Sequence, residues 1–220
     1  MRKFTLSYLP FYALFIFFAC NIIAMFYYPG GTIQDPDSSG YDFFRNFLSQ
    51  LGRIKAYTTD DFGNQLSNLV SFRIWSSGMA VTGVIFLIYY SYLPTFFNKK
   101  LSILGSFLAV ISSVCFIGTG ITPGDVIVHL SDKQGNILNT ISIFEMHVFF
   151  ANNIFYFAFP SALIYSYIIY NSDKINKIYG LGYYLFSFCL LIYILILIYG
   201  PSPFESSSAQ ILQVTSQKII

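Results

Sequence analysis

Five mainly apolar blocks, residues 8 to 28, 76 to 97, 101 to 121, 146 to 170 and 178 to 200, each free of Asp, Glu, Lys and Arg, limit what this chain can fold into. Each is about the 20 residues that an α-helix needs to cross roughly 30 Å of hydrocarbon. In lipid every backbone N–H and C=O must find its partner inside the protein, and a helix of that length satisfies its own. Charge agrees with the blocks: 10% of the 220 residues are charged, where a soluble domain carries about 25%. The expected fold class is all-α, a polytopic membrane helix bundle with five spans, forming a single integral-membrane domain over residues 1–220.

The first block begins after Met1-Arg2-Lys3, as a signal peptide would. Its apolar run exceeds the usual 7 to 15 or so residues, however, and Tyr27-Tyr28-Pro29 is a poor cleavage site. A retained span is expected. Arg2 and Lys3, Lys99 and Lys100, and Lys174 and Lys177 then fall on one side of the bundle. Lys and Arg resist translocation, so that side is expected to be cytoplasmic in a cell membrane, the amino terminus with it. The segment 29–74, the loop 122–145 and the polar tail 201–220 are expected outside, with nine of the ten acidic residues. Function concentrates on loops held by a rigid scaffold, which directs attention to that outer face. Cys20, Cys115 and Cys189 each lie inside a block and give no disulfide framework. No clustered basic face points to nucleic acid; the expected partners, given the spans and the outer polar residues, are membrane lipids.

The stretch YDFFRNFLSQLGRIKAY, residues 41 to 57, lies between the first two blocks. At 100° per residue, Phe43, Phe44, Phe47, Leu48, Leu51 and Ile54 share one arc, with Asp42, Arg45, Asn46, Ser49, Gln50 and Arg53 opposite. The pattern predicts an outer-surface amphipathic helix over about 42–51, stopped near Gly52, with Ser49 on its polar face. Thr58-Thr59-Asp60-Asp61 reads as a capping signal, from which a long helix would carry Asn64, Asn68, Ser71 and Arg73 into the second span. Asn152 and Asn153 are expected to make interhelical hydrogen bonds, and Gly105, Gly180 and Gly182 to be points of close helix approach. The tail has a weak helical pattern at Ile211, Leu212, Val214, Ile219 and Ile220. Either it ends outside, or a sixth span has been lost.

Chemistry-bearing residues are few. Ser49 as nucleophile, His147 as its base and Asp125 or Glu145 as the orienting carboxylate would form a catalytic triad, which needs spatial rather than sequence proximity. No G-x-S-x-G elbow surrounds Ser49. Asp125, His129, Glu145 and His147 are the alternative, a metal set of two imidazoles and two carboxylates, although H-E-x-x-H is absent. No cofactor is expected. The same groups could instead only hydrogen-bond the outer helix ends together. The open alternatives are therefore a protein that binds or acts on lipid headgroups or lipid-linked substrates, and a non-catalytic membrane organiser. A transporter is disfavoured, since no span carries a charge near its centre.

Tyr41 and Asn46 in YDFFRNFLSQLG, Pro123 and Asp125 in GITPGD, and His147 and Ala151 in HVFFA carry a resemblance. With these residues the chain resembles the integral-membrane family called domain of unknown function 998. That family is in turn similar to the DRAM, FRAG and post-GPI-attachment-factor superfamily of six-span proteins. The resemblance covers most of the chain and implies a lipid theme without an assigned reaction. Where the family reads Ser-Asp-Leu-Gly, this chain has Ser49-Gln50-Leu51-Gly52, without the carboxylate.

Overall fold

The computed structural model describes residues 2–132 and 134–220, with side chains from residue 8 onward. Five helices are long and apolar enough to cross a membrane, and the protein is a multi-pass membrane helix bundle. In chain order, α1 is Arg2–Phe26, α2 is Leu69–Tyr92, α3 is the short Pro94–Phe97, and α4 is Lys100–Ile121. Then come α5, Ile143–Tyr170, α6, Lys177–Tyr199, and the short α7, Ser207–Lys218. Pro94 opens α3, and Asn98, with φ of 52°, closes it in the left-handed conformation before Lys99 and Lys100. The second span begins at Leu69, seven residues ahead of its apolar block, and its first turns carry Ser71 and Arg73 of the long helix expected there.

Neighbours pack antiparallel in the order α1, α2, α4, α5, α6, and among the described residues no comparable contact closes α6 onto α1. The central member is α4: 44% of its apolar window is buried, against 17% for α1 and for α6. Its sequence explains this. Ser102, Gly105, Ser106, Ala109, Ser112, Ser113, Gly118 and Thr119 are all small and buried, which lets neighbouring backbones come close. A Cβ on Gly118 would lie 2.5 Å from the Phe150 ring, so only glycine fits there. Polar groups then join α4 to α5 directly. Ser112 donates to the Ile154 carbonyl at 2.9 Å, Ser161 to the Gly105 carbonyl at 2.8 Å, and the Tyr165 hydroxyl to the Ser102 carbonyl at 3.0 Å. Each such bond contributes on the order of 1 kcal/mol between membrane helices. Gly105 and Gly180 are close-approach points, with Tyr165 and Tyr170 against them, whereas Gly182 faces open space.

Two antiparallel hairpins sit at the end of the bundle opposite the paired lysines: β1, Lys55–Thr59, with β2, Gln65–Ser67, and β3, Ile127–Ser131, with β4, Ile137–Ser142. Their turns are chemically the same. Asp60 accepts from the Phe62 and Asn64 amides and from the Asn64 side chain, and Gly63 has φ of +80°. Asp132 does the same with the Gln134 and Asn136 amides and the Asn136 side chain, and Gly135 has φ of +87°. The acid in Thr58-Thr59-Asp60-Asp61 thus stabilises a hairpin turn rather than capping a helix, because an Asx side chain bonding two and four residues ahead competes with helical hydrogen bonding. Asn64 is consequently in the hairpin, and Asn68 is the residue that precedes α2.

The expected helix over 42–51 is also different. Residues 43–45 form a turn, and Leu48–Gly52 form one 3-10 helix. Asp42 accepts from the Phe44 and Arg45 amides, and the Asp42 amide donates to Asn46 Oδ1 at 2.7 Å. Helical periodicity cannot anticipate that Asn46, fully buried, ties this segment to Gly31 at 2.8 Å. The tail is no loose polar extension either, since α7 packs back on the segment. Lys218 donates to the Phe43 carbonyl and, at 2.8 Å, to that of Asn46, while Gln210 donates to the Arg45 carbonyl at 2.6 Å.

Candidate functional site

The hairpin end of the bundle is built by backbone clamps around the 3-10 helix. Asn68 donates its side-chain amide to the carbonyls of Leu51 and Arg53 at 3.2 and 2.9 Å, and its backbone N–H to that of Ile54 at 2.7 Å. Gly124 donates to the Gly52 carbonyl at 3.1 Å. Below the clamp Gly52 lies on the indole of Trp75, where an added Cβ would be 2.3 Å from the ring. These contacts explain why a polar, charged stretch stays close to the end of an apolar bundle: buried backbone groups must be paired, and here each carbonyl along 51–54 finds an amide or makes a turn.

A cavity of about 190 Å³ opens beside this frame. Ser49, Gln50, Arg53, Tyr57, His147, Asn152 and Gln217 contribute its polar surface, and Phe47, Phe144, Val148, Phe155, Leu197 and Phe204 much of its apolar wall. Gly124 occupies the gap between two of the expected residues. A Cβ there would lie 3.7 Å from the Ser49 carbonyl and 3.8 Å from His147 Cδ2.

His147 stands in the second turn of α5 and is 3% exposed. Its Nδ1 is 2.6 Å from the Thr122 carbonyl. A carbonyl can only accept, so Nδ1 carries the proton, and in the neutral ring Nε2 presents a lone pair. That Nε2 is buried with no hydrogen-bond partner. Gln50, 4% exposed, has a second orphan, its amide nitrogen. Arg53 is the cation of the cavity. Its Nε donates to the Lys55 carbonyl at 3.1 Å, its Nη1 to the Tyr57 hydroxyl at 3.2 Å, and the guanidinium lies 4.2 Å from the Tyr57 ring centre. Burial holds the Tyr57 phenol above its ordinary pKa, against the pull of Arg53, so it remains an O–H donor at neutral pH. Among the described residues the ion pair is Arg45 with Asp42 at 3.3 Å, and no carboxylate lies within 4.0 Å of Arg53, although Asp125 holds the two amides that follow it.

The expected residues divide. Ser49 and His147 line the same cavity, but no hydrogen bond joins the serine hydroxyl to the imidazole. Asp125 is committed elsewhere: its two carboxylate oxygens accept from the Ile54 and Lys55 amides at 2.9 and 2.8 Å. The group that orients His147 is therefore the Thr122 carbonyl and not an acid. His129 is on an exposed strand, 3.0 Å from Thr140 Oγ1. Glu145 is exposed in the first turn of α5, two residues from His147 and so off its face. Among the described residues no group of three or more His, Cys, Asp or Glu is arranged to hold a metal ion. Asn153 bonds the Phe149 carbonyl of its own helix at 2.7 Å, not a neighbouring helix, and Asn152 lines the cavity.

Gln50, Arg53, Tyr57 and Gln217 were not expected as site residues, although Gln50 and Arg53 were placed on the polar face of the 42–51 segment. Arg45, Lys55 and Arg73 share the segment between the first two spans with Arg53, so charge alone did not distinguish it. Compared with protein-family models, with curated proteins and with solved structures, the chain matches none.

Proposed function

We propose that this membrane protein receives, at the outer face of a cell membrane, a lipid headgroup or the polar end of a lipid-linked substrate in the cavity beside Ser49, Arg53 and His147. In this reading the amino terminus is cytoplasmic and the hairpin end is outside. The observation that carries it is the orphan Nε2 of His147. A buried polar atom without a partner costs about 1–3 kcal/mol, which a ligand that supplies a proton to it would recover. The Arg53 guanidinium, without an ion-pair partner within 4.0 Å, adds a preference for anions, and the aromatic and aliphatic wall suits the glycerol region of a lipid.

Chemistry is a further step. Ser49 would act as nucleophile and His147 as its base only if the hydroxyl turned to Nε2 on substrate binding, as catalytic contacts often tighten in the complex. Asp125 would have a positioning role, holding the segment that carries Arg53. The second reading, a non-catalytic organiser, is favoured by one observation: Asp125, Asn46 and Asn68 all bind backbone. Membership of the domain-of-unknown-function 998 family belongs to the same proposal.

The test is native mass spectrometry of lipids retained through mild purification. Wild type is expected to keep a stoichiometric lipid that Ala151→Trp, which fills the cavity, loses while staying monodisperse. Equal retention by both proteins would place the lipid elsewhere and defeat the proposal. His147→Ala and Ser49→Ala then separate the readings. Retained lipid with unaltered lipid composition on incubation, in wild type as in both variants, favours the organiser.

A further inference from the structure

We infer that the headgroup this cavity selects is a phosphodiester that bears a free hydroxyl, an inference that rests on the cavity being a headgroup site. It follows from the polarity of the orphan atoms, which the backbone dictates at both positions. The Asp42 amide can only donate, so the Asn46 atom facing it is Oδ1, and Asn46 Nδ2 must face the Gly31 carbonyl and Gln50. Gln50 therefore turns Oε1 to Asn46, at 2.5 Å, and its orphan atom is the NH2 donor. The Thr122 carbonyl likewise fixes the proton of His147 on Nδ1 and leaves Nε2 as an acceptor. Both side chains are more than nine-tenths buried and both line the cavity.

One acceptor and one donor, both shielded from solvent, and one cation thus lie on residues that line the cavity. A phosphodiester oxygen satisfies Arg53 and could satisfy Gln50, but it has no proton for His147 Nε2. A hydroxyl has both functions: its hydrogen goes to Nε2 and its oxygen accepts from the Gln50 amide. Choline offers no donor hydrogen and brings a second cation to Arg53. The volume agrees with a headgroup alone. About 190 Å³ is below the roughly 300–1,000 Å³ of pockets that enclose whole drug-sized ligands, so the acyl chains would stay in the bilayer.

Phosphatidylglycerol is the probe, and phosphatidylpropanol is its control, with the same charge and backbone length but no hydroxyl. Each is titrated by native mass spectrometry into the full chain stripped of lipid, with phosphatidylcholine as reference and glycerol phosphate as a soluble competitor. Phosphatidylglycerol is expected to bind at least about tenfold more tightly than phosphatidylpropanol, because a site that hydrogen-bonds a hydroxyl leaves buried groups unpaired with the analogue. Arg53→Gln should weaken both anionic lipids and keep their ratio, while His147→Phe should abolish the ratio. Should His147→Phe fail to fold, the wild-type ratio decides alone. Equal affinity for the two anionic lipids, both above phosphatidylcholine, would overturn hydroxyl selection and leave the headgroup site standing. Affinity no greater than that for phosphatidylcholine would overturn the anionic-headgroup site and this inference with it. Competition by glycerol phosphate at equal concentration would overturn the lipid as its source.

Discussion

Asp125→Ala should release the segment that carries Arg53 without unfolding the bundle. The carboxylate accepts from two adjacent amides, Ile54 at 2.9 Å in a partly buried setting and Lys55 at 2.8 Å in an exposed one. A hydrogen bond to a charged group contributes about 1.5–3 kcal/mol, and the exposed one belongs below that range, so the pair is worth about 2–4 kcal/mol. At about 1.4 kcal/mol per factor of ten, amide exchange at Ile54 and Lys55 should accelerate about 30- to 700-fold. Asn68 and Gly124 still hold Leu51 to Ile54 in the variant, which confines the effect. Asp125→Asn keeps one acceptor but opposes an NH2 to the other amide, and should give an intermediate acceleration. The assay is hydrogen–deuterium exchange on protein in detergent, read on peptides covering 50–60 against peptides from α4 and α5. Unchanged exchange at 50–60 would refute the clamp. Acceleration spread equally through α4 and α5 would refute its being local.

Three further outcomes are expected. Gly52→Ala places a methyl against Trp75, where the distance from an ideal Cβ is 2.3 Å, so it should destabilise by about 1–3 kcal/mol, read as a lowered thermal midpoint in detergent. The two hairpin turns should loosen together in acid: hydrogen bonds from Asn64 and from Asn136 hold Asp60 and Asp132 below the ordinary value of 3.8. Their contribution is complete above that value and is lost as pH falls through the lower folded-state pKa, which exchange at Asn64 and Asn136 would report. Burial pushes Lys218 from 10.5 down to about 8. The unfolded or undocked tail binds the extra proton between those values, so docking of α7 should tighten as pH rises from about 8 to 10.5, measured as reduced proteolysis after Lys218 with a pH-tolerant protease.

The spans were legible because hydrocarbon thickness acts on every residue of a helix at once, and Leu, Ile and Phe runs reveal it without knowledge of neighbours. Seams were partly legible: Gly105 and Gly180 mark close approach, but Gly182 differs from Gly180 only in which side of α6 it occupies. The mouth was hidden for another reason. Asn46 and Asp42 look like the polar face of a helix, and their side chains instead bond Gly31 and nearby amides, a choice fixed by tertiary contacts fifteen residues away. Asp125 looks catalytic in sequence because any acid near a histidine does, and only the positions of the Ile54 and Lys55 amides assign it to the backbone. The repeated Asp-x-x-Gly-Asn of 60–64 and 132–136 is a turn signature that sequence alone contains. The donor and acceptor polarity at Gln50 and His147 is not, since it depends on which carbonyls and amides face them.

The most direct measurement of the central claim is an experimental density map of the protein in nanodiscs that contain phosphatidylglycerol. The account predicts headgroup density in the cavity within about 3 Å of His147 Nε2 and of the Gln50 amide nitrogen, with phosphoryl density at the Arg53 guanidinium. A cavity filled only by water, or closed without headgroup density by Ser49 or Gln217 turning to His147 Nε2, would contradict it.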